Sequence, residues 1–336
     1  MFIVTHSVLC AHTLAQYLSS SYAIGEVLSC RLIQRRVSDT YLVQCSDKKY
    51  VLRIYRKQWR SIKQIHSELA ILDHLCEHQC LVPSYVRNRQ GESIQTLTVP
   101  EGERYAVLFE FMEGMSFGDM RLDAPLTMQQ FGACAARMHK ALDYFPITAD
   151  RFDLNLDWML SQPIKHLTPY LTDQPKYLRD LKRYQDWLTE FLATQDSSVS
   201  QYGLVHGDLL PANVLHCGGT GVESVVGLID FDFSGYGWRA YDIAVFIHDN
   251  TFLNGANGHV EHYLKGYEKI RPITDSEWAV VEALLPIRGI WFLALWAANA
   301  QDWGDEFLRD KKAIRRQLDF TRQLIHKLFS RQKARA

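Results

Sequence analysis

Leu204-Val205-His206-Gly207-Asp208-Leu209-Leu210-Pro211-Ala212-Asn213 is the stretch on which the fold turns. An apolar run of strand character delivers a carboxylate, and an amide follows five residues later. Seventeen residues beyond Asn213 comes the carboxylate of Gly227-Leu228-Ile229-Asp230-Phe231-Asp232. This set suits phosphoryl transfer. One carboxylate takes or orients the proton of an attacking hydroxyl, while an amide oxygen and a second carboxylate hold Mg2+ on phosphate oxygens.

Outward from this stretch, the chain changes character near residue 112. Residues 7–20 have the pattern of a helix. Residues 26–56 are rich in β-formers and alternate, with Ser46-Asp47-Lys48-Lys49 as a polar hairpin turn. Ile62, Ile65, Leu69, Leu72 and Leu75 share one face of a helix over 60–78. Strands follow near 94–99 and 104–111. Beyond Gly114 the patterning is mostly helical, over 127–143, 155–170, 176–194, 257–270, 275–300 and 309–330. Two strand-like runs within 213–231 flank Cys217-Gly218-Gly219-Thr220-Gly221. The expected architecture is α+β and bilobal: a small mixed β/α lobe over 1–112 and a larger, mainly helical lobe over 113–336.

Composition sets bounds. The 336 residues carry 37 Lys/Arg and 38 Asp/Glu, and 47% are hydrophobic. That is the composition of an ordinary globular chain, without the basic excess that nucleic-acid binding needs. Charge is uneven: residues 308–336 hold ten Lys/Arg against two Asp/Glu. A basic helix there either touches RNA or anionic lipid or is a solvated face with a frayed tail; the second reading is favoured, and Phe320, Leu324, Ile325 and Leu328 keep a helical spacing that suits docking onto the protein's own body. Seven Cys without a CxxC point to reduced, buried thiols and a cytoplasmic setting. The N-terminus lacks a basic region and a small-residue cleavage site, so no signal peptide is expected. The apolar run from Gly289 to Ala298 is too short to span a bilayer, so no membrane partner is expected.

HGDxxxxN, then IDFD, then Tyr241-Asp242-Ile243-Ala244, in this order, resembles the aminoglycoside phosphotransferase/choline kinase superfamily, small-molecule kinases of protein-kinase-like fold. The pattern is most similar to homoserine kinase type II. The resemblance implies ATP and Mg2+ as cofactors, Asp208 as catalytic base, and Asn213 and Asp230 as metal ligands. It also implies that His206 and Asp242 brace the loop. In the first lobe it implies Arg53, where the family often has Lys, as the phosphate cation, with Glu68 as its ion-pair partner. Glu110 and Met112 would meet adenine through the main chain. Asp232 either lines the substrate side or caps local backbone.

The chain departs from the pattern at the phosphate-covering turn. Gln34-Arg35-Arg36-Val37-Ser38-Asp39-Thr40 contains no Gly, and Ser38 is the candidate phosphate contact. His74, Cys76, His78 and Cys80 look like a metal cluster, but helical spacing puts the two pairs on nearly opposite faces. Only eleven residues separate Asp230 from Asp242, and no A-P-E follows, which favours a small acceptor over a protein. Arg288, Trp291, Trp296 and Trp303, with Asp302 and Asp305, either enclose an amine or build core; Arg288 alternatively meets an acceptor carboxylate. The acceptor class is an amino alcohol, a hydroxy amino acid or an aminoglycoside-like molecule. A bacterial stress-response type of Ser/Thr protein kinase and a catalytically silent nucleotide-binding module are the alternatives.

Overall fold

Alternation in the first hundred residues produces a sheet, as the pattern requires. The computed structural model describes residues 2–118, 125–146, 150–195, 198, 201–219, 225–254, 259–304 and 306–335. The chain divides into two compact units, Met1–Gly114 with Pro146–Asp150, and Met115–Phe145 with Arg151–Ala336.

In the first unit β1 (Val27–Arg35), β2 (Ser38–Cys45), β3 (Lys49–Tyr55), β4 (Tyr85–Val86), β5 (Ile94–Val99) and β6 (Gly102–Glu110) form one antiparallel sheet. Its order is β1-β2-β3-β6-β4, with β5 also on β6. Helix α1 (Ala11–Ser21) covers one face, where Leu14, Leu18 and Tyr22 pack with Tyr41, Val43, Leu52, Ile54 and Leu108. It begins four residues later than the sequence pattern suggests. Ser7 is tied down instead, its N–H and hydroxyl donating to Glu101 and its carbonyl accepting from Arg104. Helix α2 (Ile62–Glu77) opens with a capping box between Ser61 and Gln64. Of its expected apolar face Ile65, Leu69, Leu72 and Leu75 are buried, but Ile62, at the first turn, is exposed.

The second unit is mainly helical: α3 (Pro125–Leu142), α4 (Gln162–Leu167), α5 (Pro175–Ala193), α6 (Arg239–Asn254), α7 (His259–Glu268), α8 (Asp275–Ala298), α9 (Ala300–Trp303), α10 (Glu306–Arg309) and α11 (Lys311–Arg335). The expected helix over 155–170 is broken into a π turn at Asp157–Ser161, α4, and a 3-10 turn at Thr168–Tyr170, with Pro163 and Pro169 interrupting regular hydrogen bonding. Small strands add β7 (Met115–Ser116), β8 (Tyr202–Val205), β9 (Val214–Gly218), β10 (Val225–Leu228) and β11 (Gly235–Trp238). They pair as β10-β9-β7 and β11-β8.

Helix α8 extends the apolar run at Gly289–Ala298 to 24 residues. It is long and apolar enough to cross a membrane by composition, yet 67% of its most apolar window is buried within the protein, as in a core helix. Helix α11 docks on α8 and α5 through Leu318, Thr321, Ile325 and Leu328, whereas Phe320 and Leu324 are only half-buried. All seven cysteines are free; Cys45, Cys80 and Cys134 are buried, but Cys10 and Cys76 are exposed and depart from the expectation of buried thiols. His74 and His78 sit with ring centroids 4.1 Å apart.

Candidate active site

The loop after β8 is built around one buried carboxylate. Asp242, in the first turn of α6, accepts from the main-chain N–H of His206 and of Gly207, each at 2.8 Å. Its Oδ2 also lies 2.9 Å from Nε2 of His139 in α3, whose Nδ1 lies 2.8 Å from the Tyr267 hydroxyl. Burial opposes a charge on Asp242, but the His139 contact and the loop N–H groups outweigh it and lower its pKa. Burial pushes the His139 pKa down as well. Gly207 turns the chain with φ 78°, and a Cβ there would stand 2.2 Å from the Phe233 carbonyl oxygen. Only glycine satisfies both demands.

His206 is fully buried and faces inward. Its Nε2 lies 3.0 Å from the Ile229 carbonyl, and its Nδ1 accepts the Asp208 N–H at 3.3 Å. These contacts define an Nε2–H tautomer and brace two loops against each other.

On this brace, Asp208 and Asn213 face one another. The Asn213 amide donates to the Asp208 carbonyl at 2.8 Å and to Asp208 Oδ2 at 3.0 Å. The β9–β10 hairpin pairs Val214 with Leu228, and the Ile229 N–H reaches the Asn213 carbonyl at 3.0 Å. Asp230 is therefore carried to the Asn213 end of the hairpin, in a left-handed conformation with φ 67° that is uncommon for a non-glycine residue. With its NH2 committed to Asp208, Asn213 has its amide oxygen left as an acceptor.

Two residues complete the surroundings of Asp208. Arg288 Nη1 lies 2.8 Å from Asp208 Oδ1, and its Nε 3.5 Å from Asp249 Oδ1. Both contacts are angled, so they are ion pairs more than aligned hydrogen bonds. Burial raises the Asp208 pKa, with Arg288 pulling against it; Asp249 is held low by the same guanidinium despite its own burial. The acceptor-carboxylate role expected of Arg288 is not what its position suggests, because two carboxylates of the chain already face it. Asp249 stands two helical turns beyond Asp242, a spacing that would mark it in the sequence only once a helix over 239–254 is recognised.

The turn after Asp230 is held by Arg151, whose guanidinium donates to the carbonyls of Phe231, Asp232 and Ser234 at 3.1, 2.7 and 2.6 Å. Asp232 itself is buried. Arg239 donates to the Leu204 carbonyl and pairs with Asp143 at 2.6 Å. No local motif marked either arginine. Trp291 is buried, edge-on to Phe233 at 4.9 Å and 5.4 Å from Trp158, with Arg288 over its ring. Trp296 and Trp303 pack on each other instead. Asp302 is half-buried in α9, and Asp305 lies outside the described residues.

In the first unit, Arg53 on β3 and Glu68 on α2 are joined at 2.9 Å, with Glu68 buried and also bonded by the Tyr55 hydroxyl. The Arg53 guanidinium lies over Phe109. Ser38 is not displayed in a loop: it begins β2, opposite Tyr55, with its hydroxyl enclosed and unbonded among the described residues. Neighbouring Asp39 is fully buried against Arg104 at 2.8 Å. Glu110 ends β6, where its N–H donates to Ser84 and its carboxylate meets Lys48 at 3.4 Å. Phe111 bonds to Lys49, and Met112 is the first residue past the ladder.

A family model described as the phosphotransferase enzyme family matches residues 29–283. The chain belongs to this family. It is accordingly a phosphotransferase with an alcohol group as acceptor, of the small-molecule kinase kind. An uncharacterised protein of Deinococcus radiodurans is 32% identical over 312 residues, covering 91% of this chain and 88% of that one. A homoserine kinase of Paramagnetospirillum magneticum is 28% identical, covering 85% and 84%. The solved structure of a microcompartment-associated aminopropanol kinase superposes with a TM-score of 0.78 at 23% identity, over 94% and 95% of the two chains, which shows the shared protein-kinase-like fold.

Proposed function

We propose that this phosphotransferase moves the γ-phosphate of ATP, bound with Mg2+, to a hydroxyl of a small amine-bearing molecule such as an amino alcohol, a hydroxy amino acid or an aminoglycoside-like compound. The observation that carries the reading is the pairing of Asp208 with Asn213 on a loop held by Asp242, with Asp230 delivered beside them. Asp208 accepts the proton of the acceptor hydroxyl as its oxygen attacks the γ-phosphorus, and the bond to the bridging oxygen of ADP breaks.

The free oxygen of Asn213 and the carboxylate of Asp230 fit Mg2+, which takes one or two protein oxygens and completes its shell with phosphate and water. When bound, the ion neutralises phosphate charge. Arg53, steadied by Glu68, grips phosphate oxygens, and the main chain at Glu110 and Met112 meets adenine. The Ser38 contact fits least well, because its hydroxyl is enclosed in β2.

An amine suits the acceptor side. Arg288 is engaged by Asp208 and Asp249, so that group of three carries net negative charge, and Asp249 remains partly open. The names of the two relatives, homoserine kinase and aminopropanol kinase, point to the same acceptor class. Labelled ATP offered with 1-amino-2-propanol, homoserine, spectinomycin and casein tests this. Label on one of the small molecules is expected; label on casein alone would favour a protein kinase.

Arg53→Lys keeps the charge but loses the fork that spans two oxygens. With charge-assisted bonds worth roughly 1.5–3 kcal/mol, kcat/KM for ATP is expected to fall about ten- to a hundredfold, further for Arg53→Ala and less for Glu68→Ala. Near-wild-type kinetics in all three would place the phosphate grip elsewhere. Asp230→Ala is expected to weaken Mg·ATP binding more than metal-free ATP binding, measured by calorimetry with and without Mg2+. Equal losses in both titrations contradict its role as a ligand.

A further inference from the structure

Arg288 reaches Asp208 from α8, eighty residues further along the chain. It faces Oδ1 of the carboxylate while Asn213 donates to Oδ2. Groups on separate elements thus grip both oxygens and restrict rotation about the Cβ–Cγ bond.

Behind Arg288 the contacts continue. His248 Nδ1 lies 3.1 Å from the same Asp249 oxygen that faces Arg288, and Gln317 Nε2 lies 3.3 Å from His248 Nε2. One proton arrangement satisfies the chain: the Gln317 amide donates to Nε2, and Nδ1–H donates to Asp249. Gln317, His248 and Arg288 are all buried, at 5%, 2% and 3% exposure. The close approach depends on Gly289. A Cβ there would stand 2.3 Å from Thr321 Oγ1, 2.6 Å from Gln317 Nε2 and 3.0 Å from His248 Nε2. Helix α8 therefore lies against α6 and α11 at the residue next to Arg288, with no room for a methyl group. Burying an arginine, a histidine and a glutamine along one line is costly unless each is paired.

We propose that Arg288 is a positioning residue that aims the Asp208 carboxylate at the acceptor hydroxyl, and that Asp249, His248 and Gln317 form a buried chain that fixes the guanidinium. This rests on Asp208 being the base. Aim matters because a small misplacement of a reacting group costs about a hundredfold in rate.

The test follows Mg·ATP turnover with 1-amino-2-propanol, homoserine and water as acceptors, alongside thermal melts. Arg288→Ala is expected to lose about a hundredfold in kcat, His248→Phe about tenfold and Gln317→Leu several-fold, each with little change in KM for ATP. Adding His248→Phe to Arg288→Ala is expected to cost nothing more, since the two act as a unit. Guanidinium ion below denaturing concentration is expected to restore part of kcat to Arg288→Ala and none to Asp208→Asn. A purely structural role would give losses that follow melting temperature, with no rescue, and that result overturns the proposal. If Asp208→Asn is inactive while the Arg288 and His248 variants turn over like wild type, the positioning chain fails alone. If Asp208→Asn is active, the base assignment fails instead and takes the proposal with it. Should Arg288→Ala not fold, His248→Phe and Gln317→Leu carry the test, and unchanged kcat in both overturns it.

Discussion

Asp208→Asn is expected to lower turnover by about 10²–10⁴-fold, the usual share of a general base, while nucleotide binding stays nearly intact. The substitution keeps the shape and the capacity to bond Asn213, whose amide now donates 3.0 Å to Oδ2. It removes the oxygen proposed to take the hydroxyl proton, along with the carboxylate that faces Arg288 at 2.8 Å. The phosphate grip proposed for Arg53 lies in the first unit and is untouched. Steady-state turnover with an acceptor from the labelled panel, set beside ATP affinity by calorimetry, checks this. Activity within about tenfold of wild type lies below the general-base range and would sink the assignment.

Asp242→Ala is expected to reduce both stability and activity, though Asp242 touches no reactant. Its carboxylate terminates the N–H groups of His206 and Gly207 and pairs with His139, all in the interior. Each buried donor left unsatisfied costs about 1–3 kcal/mol, and each kcal/mol lowers Tm by roughly 2–4 °C in a unit of this size. The remaining folded protein is expected to have low kcat, because the loop that carries Asp208 loses its anchor. A wild-type melt would show that the brace is dispensable. Both groups of the pair have lowered pKa values, so the unfolded chain binds more protons at each site. Stability is therefore expected to fall in acid, first as pH drops below the ordinary histidine value of 6.5 and again as Asp242 itself protonates. Urea melts across that range measure it, and His139→Gln is expected to flatten the first step.

Much of the site could be read along the chain because its members are close in sequence. Asp208 and Asn213 are five residues apart, and Asp230 follows across one hairpin. A strand end, a tight glycine turn and a β-pair are enough to bring them together. Arg53 and Glu68 were legible through the family resemblance, and the structure joins them at 2.9 Å. Helix α6 was not among the expected helices. Apolar residues surround it and weaken the 3.6-residue period, so that only the Tyr241-Asp242-Ile243-Ala244 motif marks it in the sequence. Helix 155–170 was expected whole because apolar spacing registers burial and not the hydrogen-bond register, which slips there into π and 3-10 turns.

By itself the sequence determined the α+β character of the chain and the phosphotransferase motifs. Both follow from local spacing and from chemistry a few residues wide, whereas the partnership of Arg53 with Glu68 came with the family resemblance. Only the tertiary structure decided what Arg288 does. The sequence offered it equally to an acceptor's carboxylate, but packing places it against Asp208 and Asp249, with His248 and Gln317 behind. The same holds for Arg151, which donates to main-chain carbonyls, and for Arg239, which meets the Leu204 carbonyl and the distant Asp143; neither has a sequence signature. A long side chain can meet any group its helix is packed beside, and that packing is set by burial over the whole unit, not by its neighbours in the chain.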